Sequence, residues 1–498
     1  MRRVLRSLLP ALLAFGLLAA SAGAGHVPAK QQNMDIQFSS QNSTNAINSD
    51  LAFWGDRAYA GNYNGFRIFD ISDPASPQLL VDFPCFGPQN DLSVWDNRIL
   101  VLSVDSVLTD DACGSPTSPT PEASTNWEGL RIFDVSNPAA PVHIASVYQD
   151  CGSHTHTMVP DLERNRVLIY NASYSLRPGP TCGPVTGPAN GRAPDHGVIQ
   201  VVEIPLDDPA AAAEIAEPEI NYPGDSDNVF NPAHHGLDVP GVFFPLRACH
   251  DIAVYLPERL VAGACAEQAQ LWRMDENGIP DTANPLWVFD NPSDENGATG
   301  DPADQHTAVD FWHSATFTWD GKIVNFSDES FGDGCPAVTN ITDPDADNPG
   351  ASDTGRTYFL NTNSGKLLSL FQIPRREPGA YCSTHQGNVI GTPGRNLLVQ
   401  AWYMGGVDII DFTAVKNPRE VAFFDLLPDG PTGSDNWAHY WYEQDPVRGR
   451  SPIVTYGTDG VHNPSTGRGF EVFQAFVQGV NRSGLDHLNP QTQEVRLP

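Results

Sequence analysis

Apolar and polar positions alternate along this chain in short runs, and the runs pair around tight turns. His250-Asp-Ile-Ala-Val-Tyr-Leu-Pro-Glu-Arg-Leu-Val and His313-Ser-Ala-Thr-Phe-Thr-Trp-Asp-Gly-Lys-Ile-Val are two examples. A period of two predicts half-buried β-strands, and the short Gly, Pro and Asp interruptions predict hairpins. A second pattern alternates with these hairpins. Gly65-Phe-Arg-Ile-Phe-Asp-Ile-Ser-Asp-Pro returns almost intact from Gly129 and more loosely from Gly197, Gly355, Gly406 and Gly469 and around Gln270. Its Asp/Asn-Pro end is turn chemistry, and another apolar run follows.

One unit therefore reads strand, turn, strand, loop, Gly-led strand, Pro turn, strand. The opening slot of the unit holds Ser49, Asn90, His156, His250, His313, His385 and His439. Those slots recur at a mean spacing of about 65 residues, the scale of a supersecondary repeat. The expected fold is all-β: a seven-bladed β-propeller of four-stranded blades, with long loops on one face. It is expected over residues 34–480, after a leader at 1–24 and before a C-terminal tail at 481–498. The alternating segment from Met34 to Ser39 is expected to supply a ring-closing strand.

The Gly-Φ-x-Φ-Φ-Asp-[Ile/Val]-Ser-[Asp/Asn]-Pro core resembles the LVIVD repeat family of extracellular propellers. The resemblance is close from Gly65 and Gly129, recognisable from Gly406 and degenerate elsewhere. It implies the propeller fold and a secreted or cell-surface location. It implies no settled activity, so function has to come from the residues.

Composition narrows the partners. The 498 residues carry 28 basic and 60 acidic side chains, a net charge of −32. Such a chain repels polyphosphates, which argues against nucleic acid as a partner. Arg2 and Arg3 precede an apolar stretch from Leu8 to Ala20, and Ala20-Ser-Ala and Ala22-Gly-Ala fit cleavage sites. This is a secretory signal, through the general or the twin-arginine route. No later stretch is apolar enough for an integral membrane segment. Eight cysteines in an exported chain predict disulfides, with Cys249 and Cys265 the best pair because they bracket one hairpin.

The histidines carry the candidate chemistry. If the units close into a ring, His156, His250, His313, His385 and His439 converge on its axis, with His154 pointing into the same mouth. An all-imidazole set favours copper or iron, with zinc an option, over magnesium or calcium. Asp105, Glu267, Asp328, Glu329 and Asp459 follow second strands and could orient the imidazoles. The long insertions at 106–127, 173–196, 218–246, 292–309 and 331–354 fall in connections on the histidine face, where they could form a binding site. His234, His235 and His306 lie in those insertions. An acidic loop at 343–353 could bind calcium but lacks EF-hand spacing.

Two functions follow. The first is a secreted propeller with an axial polyhistidine transition-metal site, serving a copper- or iron-dependent oxidoreductase. The second is a non-catalytic extracellular binding or adhesion propeller. Both place a small-molecule or extracellular ligand at the loop-rich face. A zinc or carboxylate hydrolase using Asp328 with Glu329 is a poorer fit, because adjacent strand residues point to opposite faces.

Overall fold

The computed structural model describes residues 29–174, 179–182, 196–223, 247–266, 268–290, 309, 311–329, 355–375, 382–426, 434–446, 452–460 and 468–497. Apart from three short 3-10 turns, its regular structure is entirely β. Six sheets hold the strands: three of four strands, two of five and one of nine. A typical run goes Asn48–Trp54, Arg57–Asn62, Gly65–Asp70, Gln78–Pro84, each strand antiparallel to the last. The nine-stranded sheet contains two such runs. They meet where Thr384–Ile390 and Asn436–Trp441 pair in parallel.

The glycine of the repeated motif has a steric cause. A Cβ on Gly65 would lie 2.0 Å from the Phe83 carbonyl oxygen, and one on Gly129 would lie 2.3 Å from that of Val147. Both have φ near +140°, which glycine alone adopts freely. The Asp-x-Ser step is equally local. Asp70 and Asp134 each accept from the backbone N–H two residues on, at 2.9 Å; the Ser72 and Ser136 hydroxyls, with those backbone bonds, hold both carboxyls below the usual range.

Leading strands matter most for function. They are Asn48–Trp54, Gln89–Trp95, Thr155–Asp161, Asp251–Tyr255, Trp312–Phe317, Thr384–Ile390 and Asn436–Trp441. Each packs against the next, and the last packs back against the first. Apolar cores fill the space between neighbouring sheets, as where Ala52, Phe66 and Ile68 meet Leu100, Leu102 and Phe133. The amino-terminal strand Met34–Ser40 pairs antiparallel with Phe470–Ala475, and Ala29–Gln32 pairs with Arg419–Leu426. Residues far apart in sequence thus share sheets.

Disulfides join Cys85 to Cys113, Cys151 to Cys182 and Cys249 to Cys265. The last is the hairpin pair expected from spacing. Three disulfides indicate an oxidising environment. No helix among the described residues is long and apolar enough to cross a membrane. The expected signal segment, Glu267, the acidic loop at 343–353, His234, His235 and His306 lie outside the described residues.

Strand Met34–Ser40 gives a stability test. Deleting residues 29–40 strips the partner from Phe470–Ala475 and exposes Phe473 and its neighbours. The melting temperature should fall by about 5–10 °C, the equivalent of a few kcal/mol. An unchanged melting curve would show that the strand contributes nothing to ring closure.

Candidate metal centre

Four imidazoles meet in one buried pocket at the starts of neighbouring leading strands. His250, His313 and His385 come from the repeat slot, and His154 comes from the turn before Thr155–Asp161. The Nε2 atoms of His154 and His250 are 2.9 Å apart. The ring of His313 lies 3.9 Å from that of His250 and 4.0 Å from that of His385. Glu329 reaches in from the end of strand Ile323–Asp328. Its carboxyl oxygens are 3.7 Å from His313 Nε2 and 3.9 Å from His385 Nε2. One donor atom each from His250, His313 and Glu329 falls within a 4.8 Å cluster.

Outer partners fix the rings. His154 Nδ1 donates to Asp105 Oδ2 at 2.8 Å, which leaves Nε2 with its lone pair turned inward. His385 Nδ1 donates to the Trp437 carbonyl at 2.6 Å, with the same result. This is the outer support that metal-bound histidines use. His313 is fully buried, yet neither of its ring nitrogens has a hydrogen-bond partner. Leaving one buried polar atom unmatched costs about 1–3 kcal/mol. On one tetrahedral ion at about 2.0–2.1 Å, two nitrogens would lie about 3.3 Å apart, so the His154 and His250 Nε2 atoms, now at a hydrogen-bonding 2.9 Å, would separate slightly to share it. The donor set therefore fits a transition metal.

Burial governs the protonation of the pocket. It pushes His250 and His313 well below the usual imidazole range, and the neighbouring imidazoles add to the effect. Burial also pushes Glu329 up to about 8; Asp328 adds to the rise and the Tyr403 hydroxyl opposes it. Aromatic rings close the walls. Tyr174 lies 5.3 Å from His154 and 5.2 Å from His250, while Tyr403 and Trp437 lie 4.6 and 4.7 Å from His385.

Two slot histidines point elsewhere, so the expected five-imidazole axis is corrected. Both ring nitrogens of His156 are held by the Ser93 and Ser103 hydroxyls, each at 2.7 Å. His439 turns into its own sheet. Its Nε2 meets Thr455 Oγ1 at 2.8 Å, its ring lies 5.0 Å from Phe473, and Gly457 leaves the space it occupies. Burial drives both down to about 3.

The carboxylates also divide. Asp105 and Glu329 serve the pocket. Asp328 instead accepts from the backbone N–H groups of Phe311 and Gly355, and Asp459 faces Arg468. A second group, Asp150, Cys151 and His196, makes no metal site, because Cys151 is tied to Cys182.

Sequence reasoning missed Tyr174, Tyr403 and Trp437. A signal existed for Tyr403. The register pairs Trp312 with Asp328 and Thr384 with Trp402, so Glu329 and Tyr403 occupy one repeat slot at second-strand ends. Asp105 and Tyr63 follow residues paired with Gln89 and Asn48 and fall in the same slot.

The repeated motif has a counterpart among known families. The LVIVD repeat model matches residues 47–83 and 124–148. Those two segments are similar to LVIVD repeats. No curated protein matches the sequence. Among solved structures, the computationally designed Ika8 protein is 11% identical, with 89% of this chain and 100% of that one covered at a TM-score of 0.42. A candidate 6-phosphogluconolactonase from Bacteroides uniformis is 11% identical, with 85% and 94% covered at 0.43.

His439 yields a pH prediction. In the unfolded chain it gains a proton near pH 6.5, but in the folded protein only near about 3. Acid therefore favours unfolding through this group. Wild type should lose about 1–2 kcal/mol relative to His439→Gln between pH 6.5 and 5, measured by urea denaturation at both values. Parallel pH profiles for the two proteins would contradict this assignment.

Proposed function

We propose that this protein is an exported, seven-bladed β-propeller that holds one transition metal ion on its axis. His154, His250, His313 and His385 supply the nitrogens, and Glu329 supplies a carboxylate. Supporting the ring reading is the cyclic packing of the leading strands, from Asn48–Trp54 round to Asn436–Trp441 and back. Supporting the metal reading is His313 above all, a fully buried ring with two unmatched nitrogens beside three more imidazoles.

Copper or iron is the ion we propose. Imidazole suits copper, iron and zinc, whereas calcium and magnesium select oxygen donors. A copper or iron centre supports oxidoreductase chemistry on a small molecule, and zinc would restrict the site to Lewis-acid or structural roles. The ligand would enter at the histidine face.

Metal analysis tests the reading. After reconstitution and desalting, the wild type should retain about one equivalent of copper or iron. His313→Ala and His250→Ala should lose it, and Asp105→Ala should weaken binding about 10- to 100-fold by freeing the His154 ring. His143 serves as an outside control, since its Nε2 meets Ala145 O and Ser146 Oγ away from the pocket. His156→Ala and His439→Ala should lower the melting temperature and leave metal content intact. Equal metal content in His313→Ala and wild type would sink the site. A metal-free wild type would transfer the case to a non-catalytic binding propeller.

A further inference from the structure

We infer that residues 486–497 form a strap that stops the channel at the mouth opposite the histidines. This segment is where sequence alone predicts a tail. Its centre is the polar run Asn489-Pro-Gln-Thr-Gln493, flanked by Leu488 and Val495. Yet Asn489, Gln491, Thr492 and Gln493 are all 5% exposed or less.

The alternating amides explain that burial. Asn489 Oδ1 accepts from the Val94 N–H at 2.8 Å, and its Nδ2 donates to the Val94 carbonyl at 3.0 Å. Gln493 treats Phe317 the same way: its Oε1 accepts from the Phe317 N–H, and its Nε2 donates to the Phe317 carbonyl. Between them, the Gln491 carbonyl accepts from the Val254 N–H at 2.8 Å, and Thr492 Oγ1 donates to the Met158 carbonyl at 2.7 Å. Four leading strands are thereby met, three of them near the end away from the repeat slot and Thr155–Asp161 at its middle. A fifth, Asn48–Trp54, pairs with the strap at Phe53–Leu488 and Trp54–His487.

Both ends are anchored. The His487 ring stacks on Trp54 at 4.0 Å and bonds Glu494 at 2.9 Å. Arg496 pairs with Glu258 and bonds the Tyr255 hydroxyl. The inner side of the strap faces the channel, where Gln491 Nε2 donates to Asp50 Oδ2 at 2.8 Å. Asp50 is fully buried and also accepts from the Tyr440 hydroxyl at 2.5 Å. Along the axis the order is histidines, buried carboxyls, strap. Water and ligands then reach the axis from the histidine face. That consequence for the metal rests on the proposed centre; the strap itself does not.

Amide hydrogen exchange on the full-length protein tests the strap without reference to metal. In the wild type, the Val94, Val254 and Phe317 amides should be among the slowest to exchange. Asn489→Ala should speed exchange at Val94, and Gln493→Ala at Phe317, each by about tenfold. The Leu271 amide, inside Gln268–Arg273, should not change. Fast wild-type exchange at the three reporter amides, or no change in either variant, overturns the strap. A second arm loads the protein with copper or iron and follows removal by a water-soluble chelator. Removal should be about tenfold faster in the Asn489→Ala/Gln493→Ala double variant. Equal removal rates would overturn the stopper role. Failure to load any metal would count against the centre alone, and hydrogen exchange would still decide the strap.

Discussion

Polar groups in a dry channel must find partners across the ring, and the rest of the structure depends on that constraint. Each leading strand carries, within its first two residues, a polar side chain buried from water. Their partners come from other units. Asn90 donates to the carbonyls of Asn62 and Cys85, Asp251 accepts from Gln386, and Asp50 accepts from Tyr440 and Gln491. A buried group without a partner costs more than an ordinary hydrogen bond contributes. Opening the ring would orphan many groups at once. His313 lacks such partners, and its neighbours point to a reason. It is as buried as its neighbours, and neither of its nitrogens is matched. A buried imidazole with both nitrogens unmatched, beside three more imidazoles and a carboxyl, is a place where an ion would supply the missing partner.

Much of this was legible in the sequence, and the reason is local. The motif glycine answers a carbonyl about 2 Å from where its Cβ would be, and the motif aspartate caps its own turn. Neither depends on distant residues, so both survive as recognisable letters. The histidine slot was legible for the same reason, because it marks the start of a strand. Ring direction was not. His156 faces Ser93 and Ser103, and His439 faces Thr455 and the gap left by Gly457. Those neighbours lie on other strands, and only register brings them opposite. A small or hydroxyl residue across from a histidine gives it somewhere else to go.

The carboxylates show the same divide. Asp105, Asp328, Glu329 and Asp459 all follow second strands, and sequence treats them alike. One residue of offset separates their fates. Asp328 pairs across from Trp312 and is consumed by backbone N–H groups, whereas Glu329 lies one step on and faces His313. Side chains alternate faces along a strand, so a one-residue shift changes everything a group can touch. Tyr403 shares the Glu329 slot and bonds its carboxyl. The site is thus made of two rows, first-strand starts and second-strand ends, and only the first was conspicuous.

Its donors come from four different units, which makes the geometry of the pocket a property of the whole ring. A ligand set works only when held to within about 0.5 Å. No single sheet holds this one. His154, His250, His313 and His385 keep their spacing only while neighbouring leading strands keep theirs. Two chain ends enforce that spacing from outside the pocket. Met34–Ser40 completes the sheet of Phe470–Ala475, and the strap at 486–497 ties five leading strands at the far mouth. Substitutions in either end would act on the centre without touching it, through the tilt of the strands. Segments 34–40 and 486–497, remote from the pocket in sequence, are therefore part of what positions the imidazoles.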